Sequence, residues 1–353
     1  MSIYLSCLII LGIIIILYYL RKFFKGAQCK VKQSMKGKVI IVTGASAGIG
    51  KASAIDLVKQ GGQVILACRN ELKTKEAMKS LNEEEQKLIK FIKLDLCDFD
   101  SIIKFVETVK KEYKKIDVLM NNAGLFPQNF IITKDGIESN LEGNFTGHVL
   151  LTFLLFDMFD KTDARIINLS SLAYLNTDFL KDINIRELYD TKKAEEKYYS
   201  GFSGKWALYG NTKILMIYFS KYLAQICDEK YSYIKSAAVH PGGVDTEFSR
   251  FSKNSVFLTC LSIILFPFLK YMLKTPEDGA QTQLNLCYLP FNEFVSGAYY
   301  SDCKVTKTKD FANDSNKIKE CMELTIQEIK NKINSKTINI KGEDIEVKKF
   351  LEI

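Results

Sequence analysis

The apolar positions of this chain fall into two regimes. The first is a single run, Ile3 to Leu20, without a charge. Its eighteen residues are just enough to cross a bilayer as a helix. Arg21, Lys22, Lys25, Lys30 and Lys32 follow at once. A cleaved secretory signal puts its basic residues ahead of the apolar run and a small-residue cleavage site behind it. Here the basic residues come after and no A-x-A site follows. The pattern predicts an uncleaved transmembrane anchor, residues 1–20, and a basic tether, residues 21–36. The positive-inside rule then puts the chain beyond Arg21 in the cytosol.

From Lys38 onwards short apolar runs alternate with amphipathic segments. Val39–Val42, Val64–Cys68, Phe91–Leu96, Ile116–Met120, Arg165–Leu169 and Ile234–Val239 read as strands. The first is β-branched throughout, as suits a buried parallel strand. Between them, Glu71–Lys87 reads as a solvated helix, and Phe145–Phe159 and Trp206–Ile226 as apolar ones. This alternation predicts an α/β fold: a Rossmann-like doubly wound parallel sheet in a single domain, residues 37–310. In such a sheet the ligand lies beyond the carboxyl ends of the strands. A second apolar run, Val256–Leu273, is broken by Pro267. Were it to span, Thr275 to Lys304 would be stranded away from the fold they complete. It is expected instead to be a lid over the substrate that dips into the membrane face. Asp310–Lys330 has a helical pattern within a C-terminal extension, residues 311–353, whose last part gives no pattern to interpret.

With 353 residues and 47% hydrophobic content, the chain can bury one large core. Its formal charge of +8 comes from lysines mixed with acids, not from the clustered basic face of a nucleic-acid binder. The nine cysteines form no C-x-x-C pair. Their odd number and scatter fit reduced thiols in a reducing compartment. With His148 and His240 as the only histidines, no metal site is expected.

The candidate chemistry starts at Thr43–Gly50, which reads T-G-x-x-x-G-x-G. Glycine lets the backbone turn sharply and approach a ligand. Free N–H groups at the start of the following helix face an anion such as a pyrophosphate. Taken alone, the loop fits a phosphate cradle and a plain tight turn equally well. The second strand ends in Arg69. An acid at that point holds the ribose of NAD, whereas arginine suits the 2′-phosphate of NADP; the alternative is a solvated surface arginine. Asn121-Asn122-Ala123-Gly124 follows the fourth strand. Asparagines brace turns, so a structural role is the default, one that leaves room for the backbone to meet the adenosine half of a cofactor. Tyr209 and Lys213, four apart on a helix, share a face. A free tyrosine, with a pKa of about 10, is a poor base, and a nearby ammonium lowers that value by favouring phenolate. Tyr18/Lys22, Tyr189/Lys193 and Tyr231/Lys235 have the same spacing. They fall in the anchor, in a charged insertion and at the start of a strand. Only Tyr209 opens an apolar helix after a strand ending in serines, Ser170 and Ser171.

The order of these motifs resembles the short-chain dehydrogenase/reductase family, nearest its membrane-anchored retinol dehydrogenase branch. The likeness runs from about Gly37 to Lys304. It is carried by TGASAGIG (Thr43–Gly50), ACRN at Arg69, LDL at Asp95, NNAG at Asn121 and NFTGHVLLT from Asn144. NLSSLA around Ser171, YGNTK at Tyr209, HPGGVDTE from His240, TPEDGAQT from Thr275 and SGAYYSDCKV from Ser296 complete it. The resemblance implies that Tyr209 is the acid/base group and that Lys213 lowers its pKa and holds the nicotinamide ribose. It implies Ser171 on the substrate oxygen and Asn144 supporting a relay water. It further implies an NADP(H) site built from Thr43, Gly44, Ser46, Gly48, Ile49 and Gly50, with Arg69, Asn70, Asp95 and Leu96. Asn122, Ala123, Gly124, Tyr209, Lys213, Pro241, Gly242, Val244 and Thr246 complete that site, Thr246 on the nicotinamide carboxamide. The implied reaction interconverts a lipophilic alcohol (retinoid, steroid or fatty) with its aldehyde or ketone. The implied place is an endomembrane such as the endoplasmic reticulum, with the catalytic domain facing the cytosol.

Other readings stay open: a homodimer, a protochlorophyllide reductase-like reduction of a ring double bond, and a catalytically silent NADP-binding sensor. The intact set Asn144, Ser171, Tyr209 and Lys213 argues against the last. Three departures stand out. Ala45-Ser46-Ala47 replaces the branch's usual Ala-Asn-Ser or Ala-Asn-Thr, Thr212 stands where serine is usual, and a charged insertion, Lys181 to Ser200, is expected to be a solvated loop.

Overall fold

The computed structural model describes residues 3–180, 183–244, 271, 273–333, 336–340 and 343–352. Thr246 and almost all of the Val256–Leu273 run lie outside the described residues.

Helix α1, Ile3–Lys25, is apolar on all sides and buries none of its apolar stretch in the protein. It is a candidate membrane anchor by length and composition. The segment that follows is docked rather than loose. Lys32 pairs with Asp56 at 2.6 Å, and Met35 is buried.

Eight strands form one sheet: β1 Val39–Thr43, β2 Gln63–Cys68, β3 Ile89–Lys93, β4 Val118–Asn121, β5 Ala164–Leu169, β6 Ile234–His240, β7 Tyr299–Ser301 and β8 Lys304–Val305. Their order is β3-β2-β1-β4-β5-β6-β7-β8. All pairs are parallel except β7 with β8. The chain winds outward from β1 and then restarts at β4 in the other direction, which opens a crevice between the two at their carboxyl ends. At one edge, β3 exposes Lys90 and Lys93; at the other, β8 is only two residues long.

Side chains alternate across the sheet. Ile40 and Val42 join Leu57 of α2 (Gly48–Lys59). Ile41 faces the other way, toward Ile102 of α3 (Phe99–Glu112), Val149 of α4 (Gly147–Leu154) and Leu215 of α5 (Phe202–Lys230). Helix α6, Pro276–Tyr288, covers the first face beside α2. The C-terminal extension packs on the second face. Helix α7, Ser315–Ile333, is followed by an antiparallel hairpin of β9 (Thr337–Ile340) and β10 (Glu343–Glu346). Ile338, Val347 and Leu351 are buried in the same core as α3 and α4.

Several local expectations change. Glu71–Lys87 is two short helices, Glu71–Ala77 and Glu83–Gln86, because Asn82 and Glu85 form a capping box that restarts the chain. The third strand ends at Lys93, two residues before Asp95. The expected Phe145–Phe159 helix begins at Ser139 and passes through a π turn, Glu142–Thr146, before α4. The charged insertion is not simply a loop. Its helices Ile185–Tyr189 and Thr191–Tyr198 bury Ile185, Leu188 and Tyr198. Tyr189, expected on a solvated surface, instead reaches Thr146 Oγ1 at 2.8 Å.

Candidate active site

A cavity of about 550 Å3 lies at the carboxyl ends of β1, β2, β4, β5 and β6. Gly44, Ser46, Gly48, Ile49 and Gly50 form one wall. Gly44 takes φ +69°, and a Cβ there would lie 3.0 Å from Ala123 Cα. A Cβ on Gly50 would come within 2.5 Å of the Gly44 carbonyl oxygen. Only glycine permits this fold-back. Helix α2 then starts after Ala47 without a side-chain cap. Its first-turn N–H groups therefore meet the cavity with no side-chain acceptor, the arrangement that receives an anion.

Thr43 lies behind this wall and does not line it. Its Oγ1 accepts from the N–H groups of Asn122 and Ala123, both at 2.9 Å, and sits 3.1 Å from His148 Nε2. Asn122 Nδ2 donates back to Thr43 O at 2.8 Å. The glycine loop is thereby locked to the turn after β4, where Asn122, Ala123 and Gly124 line the cavity. Burial holds His148 neutral, its pKa lowered to about 3.

Arg69 and Asn70 line the end of β2. Asn70 Oδ1 accepts from Lys73 N at 2.9 Å and so caps the Glu71–Ala77 helix. That cap brings Lys73 onto the same wall as Arg69, a second cation that the sequence reading missed. Its signal was the cap residue itself, one helical turn ahead. Asp95 and Leu96 line the wall beyond β3, with Cys97 beside them. Burial, reinforced by nearby Glu142 and Asp95, pushes the Cys97 thiol up to about 12 and leaves it unreactive.

Ser171, Tyr209 and Lys213 meet on the opposite wall. The two neighbouring serines divide their work. Ser170, buried on the same cavity wall, donates its Oγ hydrogen to Lys213 O at 2.7 Å. Ser171 Oγ accepts from Ala173 N at 3.1 Å and hydrogen-bonds the Tyr209 side chain. His240 steadies this loop: its Nδ1 accepts from Leu172 N at 3.2 Å. Tyr209 stands on α5 among the rings of Phe126 and Trp206, at centroid distances of 5.7 and 5.9 Å. Lys213 Nζ lies 5.5 Å from the Tyr209 ring centroid and donates to Leu169 O at 3.0 Å.

Asn144 does not line the cavity. It sits in the π turn, where Oδ1 accepts from Leu125 N at 2.7 Å and Nδ2 donates to Leu125 O at 2.8 Å. It flanks Gly124 together with Lys213; a Cβ on Gly124 would lie 3.4 Å from Lys213 Nζ and 3.5 Å from Asn144 Oδ1. Pro241, Gly242 and Val244 close the cavity beyond β6. Val244 bridges to Lys274, next to Leu273 on the wall.

Burial raises the Tyr209 pKa above its ordinary value, against the pull of Ser171, and lowers that of Lys213 to about 8. The expected lowering of the phenol by Lys213 is not met in this geometry. The amine donates to Leu169 O, and desolvation drives both groups toward their neutral forms.

The short chain dehydrogenase family model matches residues 38–180. Retinol dehydrogenase 12 of Homo sapiens is 36% identical over 292 residues, covering 81% of this chain and 84% of that protein. The chain belongs to the short-chain dehydrogenase/reductase family. Retinol dehydrogenase 13 of Mus musculus is another relative, 35% identical over 302 residues and covering 84% of each chain. Among solved structures, salutaridine reductase from Papaver somniferum shares the fold, with a TM-score of 0.56 at 20% identity over 75% of this chain and 99% of that one. As a short-chain dehydrogenase/reductase, the chain is an oxidoreductase that interconverts alcohol and carbonyl groups with a nicotinamide cofactor.

Proposed function

We propose that this enzyme uses NADP(H) to interconvert a lipophilic alcohol and its aldehyde or ketone, with a retinoid, steroid or fatty substrate. The observation that carries the chemistry is the convergence of Ser171, Tyr209 and Lys213 on one wall of the cavity. The glycine loop and the uncapped start of α2 suit the pyrophosphate of a dinucleotide. Arg69 and Lys73 would hold its 2′-phosphate through charge-assisted bonds. Gly124 leaves Lys213 open to the ribose, and Asn144 fixes the backbone beside it. When bound, the cofactor supplies or takes up the hydride.

Tyr209 handles the proton. With its pKa raised, the phenol stays protonated at neutral pH and is set to give a proton to a carbonyl oxygen. Ser171, already bonded to that phenol, orients the same oxygen. Lys213 stays cationic below about pH 8 and favours the phenolate that proton transfer leaves. For the substrate, the ring of Trp206, backed by Phe126, and the side chain of Leu273 make an apolar end to the cavity. The names of the relatives and helix α1 support a lipophilic compound met at a membrane, which we place on the cytosolic face of an endomembrane.

The test is oxidation of NADPH and of NADH by the full chain in detergent, against retinal, a steroid ketone, a fatty aldehyde and a ring-alkene substrate. Turnover of one of the carbonyls with NADPH preferred is the expected result. Turnover of the ring alkene alone, or of none, sinks the proposal.

A further inference from the structure

The end of the membrane helix is bolted to the wall of the active-site cavity. Arg21 Nη1 donates to Leu273 O at 2.7 Å and to Tyr271 O at 3.1 Å. Its Nη2 lies 3.9 Å from Asp278 Oδ2, and its guanidinium carbon 5.9 Å from the Tyr271 ring centroid. Tyr271 in turn donates its hydroxyl to Leu17 O at 2.7 Å, one helical turn above Arg21. Leu273 lines the cavity, and the next residue, Lys274, donates its N–H to Gly243 O at 2.7 Å on the same wall. Asp278 is buried in the first turn of α6 and takes further partners from the same region: Lys25 at 3.8 Å and Gln28 Nε2 at 3.1 Å. A buried carboxylate needs such partners.

The depth of this joint is also marked. Tyr18, Tyr19 and Phe23 are 62%, 62% and 77% exposed on α1 at the level of Arg21. Aromatic side chains with adjacent basic ones are the signature of the headgroup layer, between hydrocarbon and water. One arginine side chain therefore separates that layer from the cavity wall.

We propose that Arg21 is a positioning residue that holds the cavity mouth at headgroup depth, so that a lipophilic substrate enters from the bilayer without crossing water. This rests on the lipophilic-substrate reading above. A tether that merely retained the protein at the surface would need no such clamp.

The test uses the full chain in phosphatidylcholine vesicles, as wild type, Arg21→Ala and Arg21→Lys. Each is assayed with a long-chain aldehyde dissolved in the bilayer and with a short water-soluble aldehyde. Arg21→Ala is expected to raise KM for the bilayer-dissolved aldehyde at least about fivefold, with kcat, vesicle retention and turnover of the soluble aldehyde held within about twofold. Arg21→Lys, which keeps one donor to Leu273 O, should fall between. Amide exchange at Lys274 should quicken in Arg21→Ala. Unchanged KM for the bilayer-dissolved aldehyde, or equal losses for both aldehydes, overturns the inference. A wild type inert toward both aldehydes sinks the functional reading by itself, and the clamp is then judged by the Lys274 exchange, whose constancy would overturn it.

Discussion

Burial displaces both central side chains toward their uncharged states, Tyr209 by raising its pKa and Lys213 by lowering its own to about 8. A protonated phenol in contact with Ser171 is an acid waiting for a basic oxygen. Tyr209→Phe keeps the ring packing against Phe126 and Trp206 and removes only the hydroxyl that carries that proton. Its kcat should fall at least about a hundredfold in a steady-state assay, while NADPH affinity by titration stays unchanged. Lys213→Ala should lose both. At the other end of the cavity, if Arg69 meets a 2′-phosphate as proposed, Arg69→Asp replaces attraction by repulsion. It should weaken NADP binding by at least about two orders of magnitude and barely alter NAD binding, as read by isothermal titration. Equal losses for the two nucleotides would make Arg69 structural. Arg69 was legible because it directly follows a strand, and Tyr209 and Lys213 because their pair opens an apolar helix after a strand that ends in serines. Lys73 was missed because its one mark, the cap residue Asn70 a turn ahead, opens a lysine-rich stretch that reads as a solvated helix.

At the scale of elements, the π turn Glu142–Thr146 joins packing to chemistry. One extra residue in the turn lets Asn144 clasp the Leu125 backbone, and π turns recur at functional sites for this reason. The same turn buries Glu142 beside Asp135 and Asp95. Burial, with Asp135 and Asp95 adding repulsion, raises its pKa from 4.5 to about 9. Between those two values the folded protein keeps a proton that the unfolded chain has lost, so stability falls as pH rises through this window. Glu142→Gln should flatten that fall: melting temperatures of variant and wild type should lie closer at about pH 5 than at about pH 8.5. A constant gap would show that Glu142 is already ionised in the fold. Strands were legible from their β-branched runs, and the parallel sheet from their alternation with helices. The π turn was not legible, because it keeps the apolar periodicity of the helix around it. The restart at Asn82 was hidden in a stretch rich in lysine and glutamate, although Asn82 and Glu85 spell the capping box that makes it.

For the whole molecule, the C-terminal extension behaves as part of the core. Ile338, Val347 and Leu351 are buried with α3 and α4, and Lys110 Nζ lies 4.2 Å from the Phe350 ring centroid. Ending the chain at Ile333 should cost on the order of 3 kcal/mol or more from those aliphatic groups alone. Chemical denaturation should show it, and an unchanged midpoint would mean that the extension only rests on the surface. Its periodicity was too short to read, because a hairpin with four-residue strands offers only two inward positions per strand. The two sheet edges carry a consequence for a chain whose first helix is a candidate membrane anchor. Proteins held on a surface collide in two dimensions, all upright and crowded well beyond their bulk concentration, which favours zippering of open strands from neighbouring copies. Here one rim carries the charges of Lys90 and Lys93, and the other offers only the two residues of β8. Such rims repel or fail to template a neighbour. Lys90→Val combined with Lys93→Val should therefore leave dilute protein monodisperse but produce detergent-resistant clusters as its density on vesicles is raised. The wild type should stay dispersed at the same coverage, its lysines acting as spacers in a crowded plane.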